Sequence, residues 1–247
     1  MTQQEMFQTI HDKFQAIAEE QGLLLKPILI TSRALTPTEA IGDTKRSDYP
    51  ILTGKEVMLQ ADFDGAIGQA FTDAPASFVG TLVDVLKLDL TNDTHSRGLF
   101  FAALNAVMCR LGLAKGTVHC KNDGPENCAI EIVSFLRKNY GTPKIALIGY
   151  QPAMFSHLAE IFPLKVLDLD PKNIGQKRFG VTVGHGFDDF EDTTKWADII
   201  LCTGSAVCNG SLAQYLDMDK DVWFFGTSLS GTAALLGLNR LCFCETV

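Results

Sequence analysis

The sequence predicts an α/β protein whose second half is a doubly wound parallel sheet, and three observations carry that expectation. Residues 144–150, Lys144-Ile145-Ala146-Leu147-Ile148-Gly149-Tyr150, are an apolar run ending in glycine, the pattern of a parallel strand buried on both faces. Beyond it, Met154, Phe155, Leu158, Ala159 and Phe162 recur at three- and four-residue intervals after Pro152, which suits a first helical turn. Residues 165–170 then return to strand, so the strands at 144–150 and 165–170 are expected side by side and parallel, joined by that helix. Further short apolar runs at 181–183, 198–202, 221–226 and 241–244 continue the alternation.

The first half reads differently. Phe7, Ile10, Phe14, Ile17 and Ala18 have helical spacing, and Gly22 follows where a left-handed cap belongs. Residues 23–30 form a strand-like run that Pro27 pushes towards a sheet edge or a bulge. Residues 36–49 read as loop, and residues 57–63 resume extended structure before a turn suggested by Gly65 and Gly68. The polar segment 69–73 after it resembles a site wall. Residues 76–88 and 92–111 both carry helical periodicity, the second holding Arg97 and Asn105, whose default place is a solvated helix face. The periodicity breaks at residues 119–125, which places a boundary between units at 1–122 and 123–247. Residues 126–140 form a further expected helix.

A chain of 247 residues with 46% hydrophobic and 20% charged residues can bury a full core. Its net charge of −8 argues against a nucleic-acid surface and against anionic membranes, while leaving room for a small cation or a neutral metabolite. The first residues lack a basic and apolar leader pattern, and no run is long enough to span a bilayer, so a cytoplasmic location is the default expectation. A homo-oligomer is allowed by the sequence. The seven cysteines are an odd number in such a chain and read as thiols, with packing, metal binding and redox chemistry as the competing roles.

In an open α/β sheet, ligands gather beyond the carboxyl ends of the strands. The loops there contribute Gly149 and Tyr150; Asp168, Asp170 and Asn173; His185; Thr203, Gly204 and Ser205; and Gly226, Thr227 and Ser228. Asp168 lies about 20 residues beyond Gly149, the spacing at which a dinucleotide-binding unit offers a carboxylate to a ribose. The glycines of that fingerprint are absent, because Tyr150, Gln151 and Pro152 follow Gly149, and ordinary NAD binding is not expected. Were a transition metal held here, the soft or borderline donors Cys202, Cys208 and His185 would favour a zinc-like or copper-like ion in an open site. His119, Cys120 and Cys128 are further donors, but their spacing is not that of a zinc knuckle.

Phe71-Thr72-Asp73 with Ser77-Phe78, the helix containing Leu104-Asn105-Ala106, Leu147-Ile148-Gly149-Tyr150, Asp168-Leu169-Asp170-Pro171, Thr203-Gly204-Ser205 and Asn209-Gly210 together resemble the bacterial and archaeal family described as putative heavy-metal chelation proteins. The resemblance covers nearly the whole chain. It implies an enolase-N-terminal-like α+β domain fused to a Rossmann-like domain, with a site in the cleft between them. With the strand-end argument it nominates Thr72, Asn105, Asp168, Thr203, Gly204 and Asn209 as ligand-binding residues. The function expected is therefore binding of a small ligand in an interdomain cleft, with or without a transition metal, in chelation or cofactor metabolism. The alternative is an enzyme using a nucleoside-containing cofactor, such as a methyltransferase, with Asp168 accepting from ribose hydroxyls.

Overall fold

A computed structural model describes residues 1–24, 29–53 and 57–244. The chain opens with α1 (Gln3–Glu20), started by a reciprocal capping box between Thr2 and Glu5, which buries Met6, Phe7, Ile10, Phe14 and Ala18 along one stripe. There follow β1 (Leu29–Leu35), α2 (Pro37–Ile41), β2 (Val57–Phe63), β3 (Ala66–Thr72), β4 (Phe78–Thr81), α3 (Leu82–Val85) and α4 (Thr94–Arg110). The strands make an antiparallel sheet in the order β3-β2-β1-β4.

The rest of the chain comprises α5 (Gly124–Tyr140), β5 (Ile145–Ile148), α6 (Pro152–Ala159), β6 (Leu164–Asp168), β7 (Lys177–Arg178), β8 (Val181–His185), α7 (Phe190–Trp196), β9 (Ile199–Thr203), α8 (Ala206–Asn209), β10 (Asp221–Phe225), α9 (Ser230–Leu236) and β11 (Arg240–Leu241). Its sheet runs β11-β10-β9-β5-β6-β8-β7. The strands β5 and β6 pair in parallel with α6 between them in sequence, as the apolar strand, helix, strand order requires. The sheet is mixed rather than wholly parallel, because β7 folds back antiparallel on β8 at one edge.

Helix α4 joins the two halves. Every residue from Ser96 to Met108 is buried, so it is a core helix with no solvent face. It packs on β3 and β2, and also on α8 and α9. Contact with β3 depends on Gly68, where an added Cβ would run into the backbone of α4 at Ala102 and Ala106. One continuous apolar core consequently contains α1 and α4 together with Ile148, Ile200 and Cys202 of the larger sheet. Among the described residues, no helix is long and apolar enough to cross a membrane.

Several local expectations are corrected. The residues around 78–81 form a strand, not a helix, because the open edge of β1 supplies a ladder that outweighs the helical spacing. Only Leu82–Val85 stays helical, capped by Thr81 and Asp84. Within the expected loop at 36–49 lies α2, started by a capping box between Thr36 and Glu39. The strand β1 lies between β2 and β4 rather than at an edge, and Pro27 falls outside the described residues. The last strand ends at Leu241, short of Cys244.

Arg97 and Asn105 are buried, 8% and 0% exposed, rather than on a wet face. Arg97 is satisfied by the carbonyls of Leu90 at 2.7 Å and Thr91 at 2.8 Å and lies over the Phe7 ring.

Candidate functional site

A cavity of about 330 Å³ lies beyond the carboxyl ends of β5, β6 and β9. The chain passes from β5 to β6 on one side, while β9 pairs with β5 on the other, so the cavity occupies the point where the strand order reverses. Tyr49, Phe71, Thr72, Asp73 and His119 close it from the first half of the chain.

Local structure places the second-half wall. Gly149 ends β5 at φ 89°, and a Cβ there would meet the Thr203 side chain at 2.5 Å, so glycine lets β5 and β9 finish side by side. The Gln151 side chain then accepts from the Met154 N–H at 2.5 Å and starts α6. Asp168 ends β6. Its carboxylate accepts from the backbone N–H groups of Tyr150 and Asp170, each at 2.5 Å, which fixes its direction at the cavity wall. Burial raises its pKa above the usual aspartate value, and those two N–H groups offset part of the effect.

Two features define what the cavity can receive. The hydroxyls of Tyr49 and Tyr150 are buried without a hydrogen-bond partner, although both residues line the cavity. A buried polar group of that kind costs about 1–3 kcal/mol unless something supplies the bond. The charge on the wall is also one-sided: Asp73, Asp168 and Asp170 are present, and among the described residues neither Lys nor Arg lines the cavity. His119 does not compensate, because burial pushes its pKa down to about 4 and leaves the ring neutral at pH 7.

Of the residues nominated from sequence, Thr72, Asp168, Thr203, Cys208 and Asn209 stand on this wall. Gly204 is set back, its N–H bonded to the Phe225 carbonyl at 2.6 Å, and its missing Cβ makes room for Leu229. Asn105 lies within the core instead of at the wall. Its amide donates to the carbonyls of Gln69, Thr227 and Ser228 at 2.9, 3.2 and 3.1 Å and accepts from the Gly231 N–H at 2.6 Å. It therefore ties β3 to the start of α9. Cys202 is 0% exposed in the core, and burial raises its thiol pKa strongly. His185 is outside the cavity wall, with Nδ1 accepting from the Asp188 N–H at 3.1 Å.

Sequence reasoning did not find Tyr49. It sits in a stretch without periodicity, where the one available signal was an aromatic residue beside Pro50. Gln214 and Tyr215 were also passed over, since they follow α8 in a short 3-10 turn rather than at a strand end.

Residues 133–238 match the DUF364 family, described as "Putative heavy-metal chelation". Among solved structures, the chain is similar to a DUF364 protein of unknown function from Pyrococcus horikoshii, at 19% identity and a TM-score of 0.55, covering 90% of this chain and 79% of that one. It is also similar to a DUF364 protein of unknown function from Desulfitobacterium hafniense DCB-2, at 11% identity and a TM-score of 0.50, covering 73% and 72%. At these identities the likeness is one of fold. No curated protein matches the chain.

The metal in the DUF364 description finds no donor set in the cleft. Cys202 is enclosed in the core, His185 is off the wall, and Cys208 alone of the three reaches the cavity. Among the described residues, no three His, Cys, Asp or Glu side chains are grouped so as to hold an ion. Cys202, Cys208 and His185 thus do not form the open site expected of them, because strand alternation turns Cys202 into the core.

Proposed function

We propose that this protein binds a small, neutral or positively charged polar metabolite in the cavity at the ends of β5, β6 and β9. The observation that carries the reading is the pair of buried, unpartnered hydroxyls of Tyr49 and Tyr150, one from each half of the chain, lining the same cavity. Asp168 supports it with a carboxylate already oriented by two backbone N–H groups and suited to accept from ligand hydroxyls. The acidic wall disfavours phosphate groups, since no guanidinium or ammonium among the described residues lines the cavity to offset them. Phe71, Ile51 and Leu167 add an apolar surface against which a flat ring can pack.

A nucleoside, free or as part of a cofactor without a phosphate at this subsite, has the required combination of vicinal hydroxyls and an apolar face. Asp168 takes the hydroxyls, and the tyrosines take the remaining polar edge. The two halves of the chain, divided near residues 122 and 123, act as the two walls.

Mass spectrometry of small molecules released from freshly purified protein, followed by calorimetric titration with nucleosides, tests this reading. Asp168→Ala should weaken binding by at least about tenfold, the loss of one charge-assisted hydrogen bond. Equal affinity in wild type and Asp168→Ala would reject the assignment.

A further inference from the structure

Four cysteines outside the cleft converge from three separated parts of the chain. Cys120 comes from the segment before α5, Cys128 from its second turn, and Cys242 and Cys244 from the residues after β11. They surround a second cavity of about 90 Å³, with His119 also on its wall. All four are free thiols and partly accessible. None of them falls within residues 133–238, so the family description does not cover them.

Contacts among them are close. The Cys120 and Cys244 sulfurs both lie against Gly124, and the Cys244 thiol reaches the Gly124 carbonyl at 3.0 Å. Gly124 makes this approach possible: a Cβ there would lie 2.8 Å from Cys120 Cβ and 3.6 Å from Cys244 Sγ. The Cys242 thiol in turn reaches the Cys244 carbonyl at 3.7 Å. Arg240 stands beside Cys242. Its guanidinium is held by the carbonyls of Gly226, Lys115 and Gly116 at 2.9, 3.0 and 2.8 Å.

We propose that Cys120 and Cys244 form a two-coordinate site for a soft monovalent metal ion, Cu(I) being the type, with Cys128 and Cys242 as adjacent thiols. The chemistry selects the ion. A tetrahedral zinc site needs four donors around one point, and although the four cysteines line one cavity, no three His, Cys, Asp or Glu side chains among the described residues are placed to share an ion. Cu(I) is satisfied by two thiolates in a line, and thiolate ligands select it over harder ions. On binding, each ligating thiol releases its proton to solvent, leaving one positive ion between two negative sulfurs. The bound site carries a net single negative charge. No electron is transferred. The site adjoins the Asp168 cavity, with Phe71, His119, Gln151, Thr203 and Ser205 bordering both, and uses none of the residues assigned to the ligand there.

The test uses reduced full-length protein without oxygen, titrated against Cu(I) held by the chromophoric chelator bathocuproine disulfonate. Wild type should withdraw one equivalent, and X-ray absorption at the copper edge should show a sulfur shell of two. Cys120→Ser with Cys244→Ser should lose that equivalent, whereas Cys109→Ser and Cys208→Ser should keep it. A double variant that takes copper as wild type does would overturn the proposal, as would a wild type that takes none from the chelator. A second measurement avoids dependence on variant folding. In wild type, Cu(I) should protect Cys120 and Cys244 from iodoacetamide, read by peptide mass mapping, while Cys109 remains labelled; unchanged labelling at Cys120 and Cys244 also overturns the site.

Discussion

Replacing Asn105 by alanine should be among the more damaging single changes to this protein, although Asn105 touches no ligand. The side chain is fully buried: its two N–H groups are shared among the carbonyls of Gln69, Thr227 and Ser228, and its oxygen accepts from the Gly231 N–H. Their loss is not equal in effect. The Thr227 carbonyl keeps the Ser230 N–H and hydroxyl at 3.0 and 2.7 Å, so it remains satisfied. The Gly231 N–H, in the first turn of α9, is left buried without a partner, which costs about 1–3 kcal/mol. The bonds to Gln69 and Ser228 contribute roughly 0.5–1.5 kcal/mol each, so the expected loss is about 2–6 kcal/mol, a large part of a typical domain's 5–15 kcal/mol. Urea unfolding followed by the fluorescence of Trp196 and Trp223 measures it. Asn105→Asp separates the contributions: it keeps an acceptor for Gly231 but turns an acceptor towards three carbonyls, so it should not rescue stability. A loss below about 1 kcal/mol in Asn105→Ala, or near-native stability in Asn105→Asp, would refute this account.

Gly68→Ala should cost more than about 2 kcal/mol in the same assay, because the new methyl meets helix backbone that cannot rotate away. His119 should make stability fall as the pH drops from 6.5 towards 4: its folded pKa is depressed to about 4, so the unfolded chain binds the proton first. That contribution is roughly 3 kcal/mol at neutral pH, and a His119→Gln variant should show a flatter urea midpoint across this window. Asp168 has the opposite sign. With its folded pKa raised, the contribution is present below pH 3.8 and is lost as the pH rises through the raised value, so Asp168→Asn should remove that decline from the free protein's stability profile. Tyr49→Phe and Tyr150→Phe should leave the free protein's melting temperature unchanged or higher, since each removes a buried hydroxyl that bonds nothing, while lowering affinity for the cavity's ligand in calorimetry.

The larger sheet was legible because its signals are local. Buried parallel strands read as apolar runs, and α6 shows one periodic stripe, so 144–150 and 165–170 identify themselves within a window of about 25 residues. Strand ends then locate Asp168 and Thr203 at the cavity without further information. The first half was harder. The residues at 78–81 have helical spacing and become a strand only because β1 offers a free edge, a partner more than 40 residues away in sequence. Asn105 and Arg97 look like wet helix residues until α4 is found packed on β3, α8 and α9, since sequence spacing cannot show that a helix is surrounded. Tyr49 and the four converging cysteines have no local signature for the same reason. The sequence alone determined which segments are strands and helices of the large sheet and which residues end its strands, because those depend on neighbours a few positions away. Tertiary structure decided what shares a cavity with them, because closure of the chain brings Tyr49 to Asp168 and Cys120 to Cys244 across separations that no periodicity spans.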